Sequence, residues 1–194
     1  NYCKIQEHEI MHYTICDLLA DLTQNAVEAD ASKVTVEFLE TDTELKVYIR
    51  DNGKGMDAET LKLVSDPFFT DGIKHPNRKV GLGIPFLIQT TTETGGEWNI
   101  DSVPNKGTTV FARFDLINID TPPIGDVVGF FRQILLFNST IPEYDLEIIR
   151  KKQGKLNCSY KIMRTELIEA LGSINDVQAL SLMRTYLESL ESAE

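Results

Sequence analysis

Cysteine is scarce in this chain: Cys3, Cys16 and Cys158 are odd in number and far apart among 194 residues. That spacing excludes a disulfide framework and a four-thiolate metal site, and it fits a reducing compartment. Cations are also few, with 19 Lys and Arg against 30 Asp and Glu, a formal net charge of -11 and a pI of about 4.8. Attraction to a phosphate backbone depends on clustered Lys and Arg, so no nucleic acid is expected as the main partner. No apolar run nears the roughly 20 residues that cross a bilayer, and the opening residues lack a signal-peptide pattern. The expectation is a cytoplasmic protein with no membrane partner. The chain opens on Asn1, which leaves room for residues ahead of it.

What is present suffices for a sizeable core. Hydrophobic residues make up 42% and charged ones 25%, enough for one domain and a smaller appended unit. The organising stretch is Asp51-Asn52-Gly53-Lys54-Gly55-Met56, which follows the alternating Leu45, Val47 and Ile49 of a half-buried strand. Asn52-Gly53 alone reads as a tight hairpin turn. The functional reading is that Asp51, fixed at a strand end, accepts a hydrogen bond from the amino group of a purine. Gly53 and Gly55 would then let the backbone pass close under the ring.

Upstream, helical spacing runs from about Ile5 to Ala29 and places Ile15, Leu18, Leu19, Leu22, Ala26 and Ala29 on one face. Asp21 and Asn25 stand one turn apart on its flank. They read either as solvated polar residues or as a carboxylate and a carboxamide entering one cleft, Asn25 offering an oxygen to Mg2+ and Asp21 orienting water. His8-Glu9-Ile10-Met11-His12 matches the zinc-protease pattern His-Glu-x-x-His, but no convincing third ligand follows. A zinc peptidase through His8 and His12 is the remotest reading, and helix-surface histidines the simplest.

Downstream, Val34, Val36 and Phe38 alternate as a first strand. Asp57 to Val64 reads as a short helix capped by Asp57, with Leu61 and Val64 facing inward. Pro67 breaks it within Asp66-Pro67-Phe68-Phe69-Thr70. Thr70 to Val80 has no apolar period and carries Lys74, His75, Arg78 and Lys79, as a loop would. Gly81-Leu82-Gly83 opens a helix with Pro85 in its first turn, where exposed amides and the helix dipole favour a polyphosphate. Gly95-Gly96 ends that helix, and two strands flank a turn at Asn105-Lys106-Gly107.

In order, these pieces are Asn25 on a helix, Asp51-x-Gly-x-Gly after a strand, Asp66-Pro67-Phe68-Phe69-Thr70, Gly81-Leu82-Gly83 before a helix, and Gly107-Thr108 between strands. Over roughly residues 14 to 116 the series resembles the ATP-binding domain of the GHKL superfamily, which includes gyrase, a heat-shock chaperone family, sensor histidine kinases and MutL. The resemblance implies ATP and Mg2+ as cofactors. Asn25 would coordinate the Mg2+, Asp51 would recognise the adenine amino group, and Gly53, Gly55 and Met56 would line the purine pocket. Residues 70–80 would form the ATP lid, with Lys79, Gly81, Leu82 and Gly83 near the phosphates and Thr108 near the adenine through water. The implied fold is a two-layer α/β sandwich, a mixed sheet with helices on one face.

The position four before the asparagine separates branches of the superfamily. Many sensor kinases carry asparagine there, whereas gyrase, MutL and the serine-kinase branch carry an acid, usually glutamate. Asp21 is such an acid, one methylene shorter, and would serve as general base for slow hydrolysis or for transfer of the γ-phosphate to a partner protein. A nucleotide-sensing module without catalysis is the alternative. Asn25 to Lys33 also resembles MutL, which the acidity argues against. His8-Glu9 resembles the start of a phosphoacceptor box, but the stretch ahead of Asn25 is too short for a complete sensor kinase's dimerising hairpin.

Residues 1–118 are thus expected to form the ATP-binding domain and residues 119–194 a small α+β unit. Pro122-Pro123 marks the boundary, Gly125 to Phe137 reads as a helix, and the runs Tyr144 to Ile148 and Leu156 to Ile162 as a hairpin. Of two closing helices, the last aligns Leu180, Met183, Leu187 and Leu190. Core packing is the first explanation for this stripe, and a homodimer or partner surface the second. This tail loosely resembles that of short stand-alone ATP-binding proteins of anaerobic bacteria.

Overall fold

A computed structural model of the chain describes residues 14–65, 83–155, 157–172, 174 and 176–192. In chain order its elements are α1 (Ile15–Glu28), β1 (Lys33–Glu40), β2 (Glu44–Asp51), α2 (Ala58–Val64), α3 (Gly83–Glu93), β3 (Glu97–Val103), β4 (Gly107–Asp115), α4 (Val127–Leu135), β5 (Asp145–Lys152), β6 (Cys158–Met163), α5 (Arg164–Leu171) and α6 (Val177–Glu191). Among the described residues no helix is long and apolar enough to cross a membrane.

Of the helix expected from about Ile5, the part before Thr14 lies outside the described residues, and α1 itself begins at Ile15. Thr14 has extended backbone angles, so no helix runs through it. It caps α1 reciprocally with Asp17: the Asp17 amide donates to Thr14 Oγ1 at 3.2 Å, and the Thr14 amide donates to Asp17 Oδ2 at 2.9 Å. The next two amides, of Ile15 and Cys16, donate to the carbonyls of Pro123 and Ile124 at 3.0 and 2.9 Å. The segment between β4 and α4 therefore meets the start of this helix. His8 and His12 lie outside the described residues.

The six strands form one mixed sheet in the order β3-β4-β2-β1-β5-β6. Only β1 and β5 run parallel; the other pairs are antiparallel. Period-two alternation puts the buried apolar residues of the central strands on one face. Val34, Val36 and Phe38 pair across with Asp51, Ile49 and Val47 on one side and with Leu146, Ile148 and Arg150 on the other. Against this face lie α1, α3, α4 and α6, which also touch one another in the sequence α3-α1-α4-α6. The opposite face carries Glu37, Tyr48, Arg50, Asn99, Asp101 and Phe111, none of them buried. The molecule is a two-layer α/β sandwich with its core between sheet and helices.

The predicted boundary near residue 118 falls between β4 and α4, and the sheet continues across it through the β1–β5 pair. The hairpin expected around Gln153-Gly154 is present as β5 and β6. Met183 and Leu187 of the predicted closing stripe are buried, while Leu180 and Leu190 are half-buried. In α2, Leu61 and Val64 are only half-buried, so its inward face is shallower than its pattern suggested.

One fully buried inward position carries a charge. Arg150 is fully buried: its Nε donates to Glu191 Oε1 at 2.9 Å, its Nη2 to Glu40 Oε2 at 2.6 Å, and its guanidinium lies over the Phe38 ring. The Tyr160 hydroxyl donates to the same Glu191 oxygen at 2.5 Å. Burial alone would raise the Glu191 carboxyl, but the hydrogen bonds from Arg150 and Tyr160 hold it below its ordinary range. This cluster fastens the end of α6 to β1, β5 and β6. Removing one partner of such a pair strands a buried charge, so Glu191→Ala is expected to cost about 3 kcal/mol in urea denaturation. Because the carboxyl is lowered in the folded state, its contribution is present above its unfolded value and is lost as pH falls through the folded one. The gap between wild type and variant should therefore close in acid.

Candidate functional site

The end of β2 does not form the hairpin turn that Asn52-Gly53 suggests. The Asn52 side chain instead reaches back to the start of β1, its Oδ1 accepting from the amides of Ser32 and Lys33 at 3.0 and 2.9 Å. Asp51 is left at the strand end with its carboxylate turned to the helix side. Its Oδ1 accepts from the Gly53 amide at 2.9 Å and from the Thr108 amide at 3.3 Å. Burial raises the Asp51 carboxyl above its ordinary value, and these two amides pull the other way.

Close backbone contact explains the glycines. A Cβ on Gly53 would stand 2.3 Å from the Ala29 carbonyl oxygen, and that oxygen accepts from the Lys54 amide at 2.8 Å. Gly55 has φ +61, and a Cβ there would stand 2.1 Å from the Val103 carbonyl oxygen. The loop after β2 is therefore clamped between the end of α1 and the β3–β4 turn. Asn105, at φ 59, closes that turn and donates its amide to the Lys54 carbonyl at 2.7 Å.

These elements enclose a cavity of about 500 Å3. It brings together Asn25 of α1, Asp51, Gly55 and Met56 from the end of β2 and its following loop, and Thr108 of β4, three separate stretches of the sequence. Gly53 is buried beneath the loop rather than on the cavity wall, and Asp21 is exposed one turn before Asn25, also off the wall. A Cβ on Gly83 would stand 3.2 Å from Leu22 Cδ2 and 3.3 Å from Asp21 Cβ, so α3 starts beside the same turn of α1. Lys79, Gly81 and Leu82 lie outside the described residues, as does the expected lid at 70–80.

The sequence reading missed most of the apolar wall. Leu22, Ala26, Ile49, Ile84 and Val110 line the cavity, and Ile49 and Val110 could have been found by counting two residues back from Asp51 and two on from Thr108. Ser102 was also missed. Its hydroxyl accepts from the Met56 amide at 2.8 Å and lies 2.9 Å from Thr108 Oγ1, and no local motif announces it.

The size and chemistry of this site suit a purine nucleotide. An apolar slot of this volume takes a flat base, a single half-buried carboxylate supplies an acceptor at its end, and the Asn25 carboxamide oxygen is a ligand type that Mg2+ accepts. No cluster of three or more His, Cys, Asp or Glu able to hold a metal occurs among the described residues. Among the described thiols, Cys16 is pushed up to about 12 by burial and the nearby Asp17, and burial raises Cys158 as well.

The family model for the histidine kinase-, DNA gyrase B- and HSP90-like ATPases matches residues 13–118. A protein named as a sensor in Shewanella frigidimarina is 33% identical over 106 residues, which are 53% of this chain and 16% of that protein. The signal transduction histidine-protein kinase AfsQ2 of Streptomyces coelicolor is 31% identical over 91 residues, 46% of this chain and 17% of its own length. This chain thus spans less than a fifth of these relatives. The solved catalytic domain of the histidine kinase ThkA is 21% identical and covers 50% of this chain and 62% of that one, with a TM-score of 0.36.

A carboxyl raised in the folded state opposes folding once ionised, so its effect on stability runs opposite to that of Glu191: stability falls as pH rises through the folded value. Asp51→Asn keeps an oxygen for the Gly53 and Thr108 amides and removes the charge. The nucleotide-free variant should therefore melt higher than wild type at neutral pH and match it in acid, as scanning calorimetry would show.

Proposed function

This chain belongs to the histidine kinase-, DNA gyrase B- and HSP90-like ATPase family, and from that premise we propose that it binds Mg-ATP in the cavity between α1, the loop after β2 and the β3–β4 turn. It then hydrolyses ATP slowly or passes the γ-phosphate to a partner protein. The observation that carries the reading is the convergence of Asn25 and Asp51, from a helix and a strand end, on one hollow with Gly55, Met56 and Thr108. Asp51 takes the exocyclic amino group of the base, its Oδ1 held in place by the Gly53 and Thr108 amides. Leu22, Ala26, Ile49, Ile84 and Val110 exclude water from the faces of the ring. Asn25 holds the Mg2+ on the phosphate side, and the bound nucleotide supplies the phosphoryl group.

Asp21 sits one turn before Asn25 on α1, beside Gly83 at the start of α3. An exposed acid there can take the proton of an attacking water or hydroxyl, as hydrolysis and transfer to serine or threonine both require. Gly53, buried under the loop, shapes the site through the backbone. Lys79, Gly81, Leu82 and Gly83 fall to the phosphate end in this reading.

Titration calorimetry with Mg-ATP should give saturable binding to wild type and a loss of at least about tenfold in Asp51→Asn, the scale of one charge-assisted hydrogen bond. Equal affinities would remove Asp51 from base recognition. In Asp21→Asn, binding should persist while phosphate release or transfer falls by about 100-fold, within the span of general-base catalysis. Unchanged turnover would discharge Asp21 as the base, and binding with no turnover even in wild type would make the protein a nucleotide sensor.

A further inference from the structure

The geometry points to Ser102 as a positioning residue that sets the preference for a 6-amino purine; this rests on the ATP reading above. Ser102 lies on β3 opposite Thr108 of β4, on the inward stripe with Trp98 and Ile100. Its one hydroxyl joins two backbone segments. It accepts from the Met56 amide at 2.8 Å, lies 2.9 Å from Thr108 Oγ1, and comes within 3.3 Å of the Gly107 carbonyl oxygen.

Both segments end on Asp51. Through Gly53, the loop carrying Met56 donates one amide to Asp51 Oδ1; through Thr108, β4 donates the other. Ser102 therefore fixes the separation of the two donors that orient the carboxylate, from behind the wall residues Met56 and Thr108 rather than as a lining residue itself. A serine proton has one destination at a time. When it goes to Gly107, the Thr108 hydroxyl donates to Ser102; when it goes to Thr108, the Thr108 proton is free for the cavity. Either arrangement keeps the Met56 amide satisfied. Loss of the hydroxyl leaves that amide and Thr108 Oγ1 without this partner, and the carboxylate loses its fixed plane.

A carboxylate with a fixed plane discriminates between a base carrying an amino donor and one carrying a carbonyl acceptor, because the second places two acceptors face to face. Loosening the plane costs the first base more than the second. ATP and inosine triphosphate, each with Mg2+, provide the two probes, titrated into the full chain by calorimetry. Ser102→Ala should weaken ATP by about tenfold and leave inosine triphosphate within about twofold, shrinking the ratio between them. Ser102→Thr and Ser102→Val have the same shape and suit a strand, and only the threonine should retain the wild-type ratio. An equal loss for both nucleotides, no loss, or a valine that behaves as threonine would each overturn the positioning role while ATP recognition stands. A wild-type chain that binds neither nucleotide would instead overturn the ATP reading, and this inference with it.

Discussion

The arrangement depends on one carboxylate oxygen. Asp51 Oδ1 is held by two backbone amides that arrive from different directions, one two residues on in its own loop and one from the neighbouring strand β4. A side chain fixed at that point can be desolvated on one side and still offer its other oxygen to a hollow. The approach leaves no space for a Cβ: Gly107 would meet the Asp51 carbonyl oxygen at 1.9 Å, and Gly53 would meet that of Ala29 at 2.3 Å. The glycines are therefore the condition under which three backbone segments close around the carboxylate, quite apart from any contact with a ligand.

Helix α1 carries the other half of the site and ties it to the rest of the molecule. Its last turn receives the Lys54 amide through the Ala29 carbonyl, and its first turn gives the Ile15 and Cys16 amides to Pro123 and Ile124. Gly125 lies so close that a Cβ would stand 2.5 Å from Thr14 Oγ1. The segment leaving β4 thus replaces the missing partners of a helix N-terminus, and a displacement of that segment would be felt along the helix that bears Asn25.

The parts legible in the sequence are those with local causes. Alternation gave β1 and β2, Asp57 announced α2, and Pro85 with Gly95-Gly96 bracketed α3, because caps and periodicity act over a few residues. Thr14-x-x-Asp17 was equally local, and a longer apolar stripe hid it. Ser102 could not be read, since its importance comes from Met56 and Thr108, partners that only the folded sheet supplies. The same holds for the β1–β5 pairing: each strand had its pattern, but nothing in either specifies a parallel neighbour more than a hundred residues away. Arg150 compounds this, because a cation on an inward stripe looks like the end of burial rather than its centre.

That pairing bears on how the two parts of the chain behave. At one end of β1, Asn52 holds Ser32 and Lys33, one residue from Asp51; at the other, Glu40 is paired with Arg150 and Lys152. The strand spans roughly 26 Å at 3.3 Å per residue, so it reaches from the candidate nucleotide site to the anchor of α6. On its inward face, Phe38 packs against Phe130 and Phe131 of α4. Burying each such side chain is worth about 1.5 to 3 kcal/mol, against a whole-domain stability of about 5 to 15 kcal/mol. The residues after β4 therefore share one core with the half that carries the candidate site, and β1 is a common wall between the two.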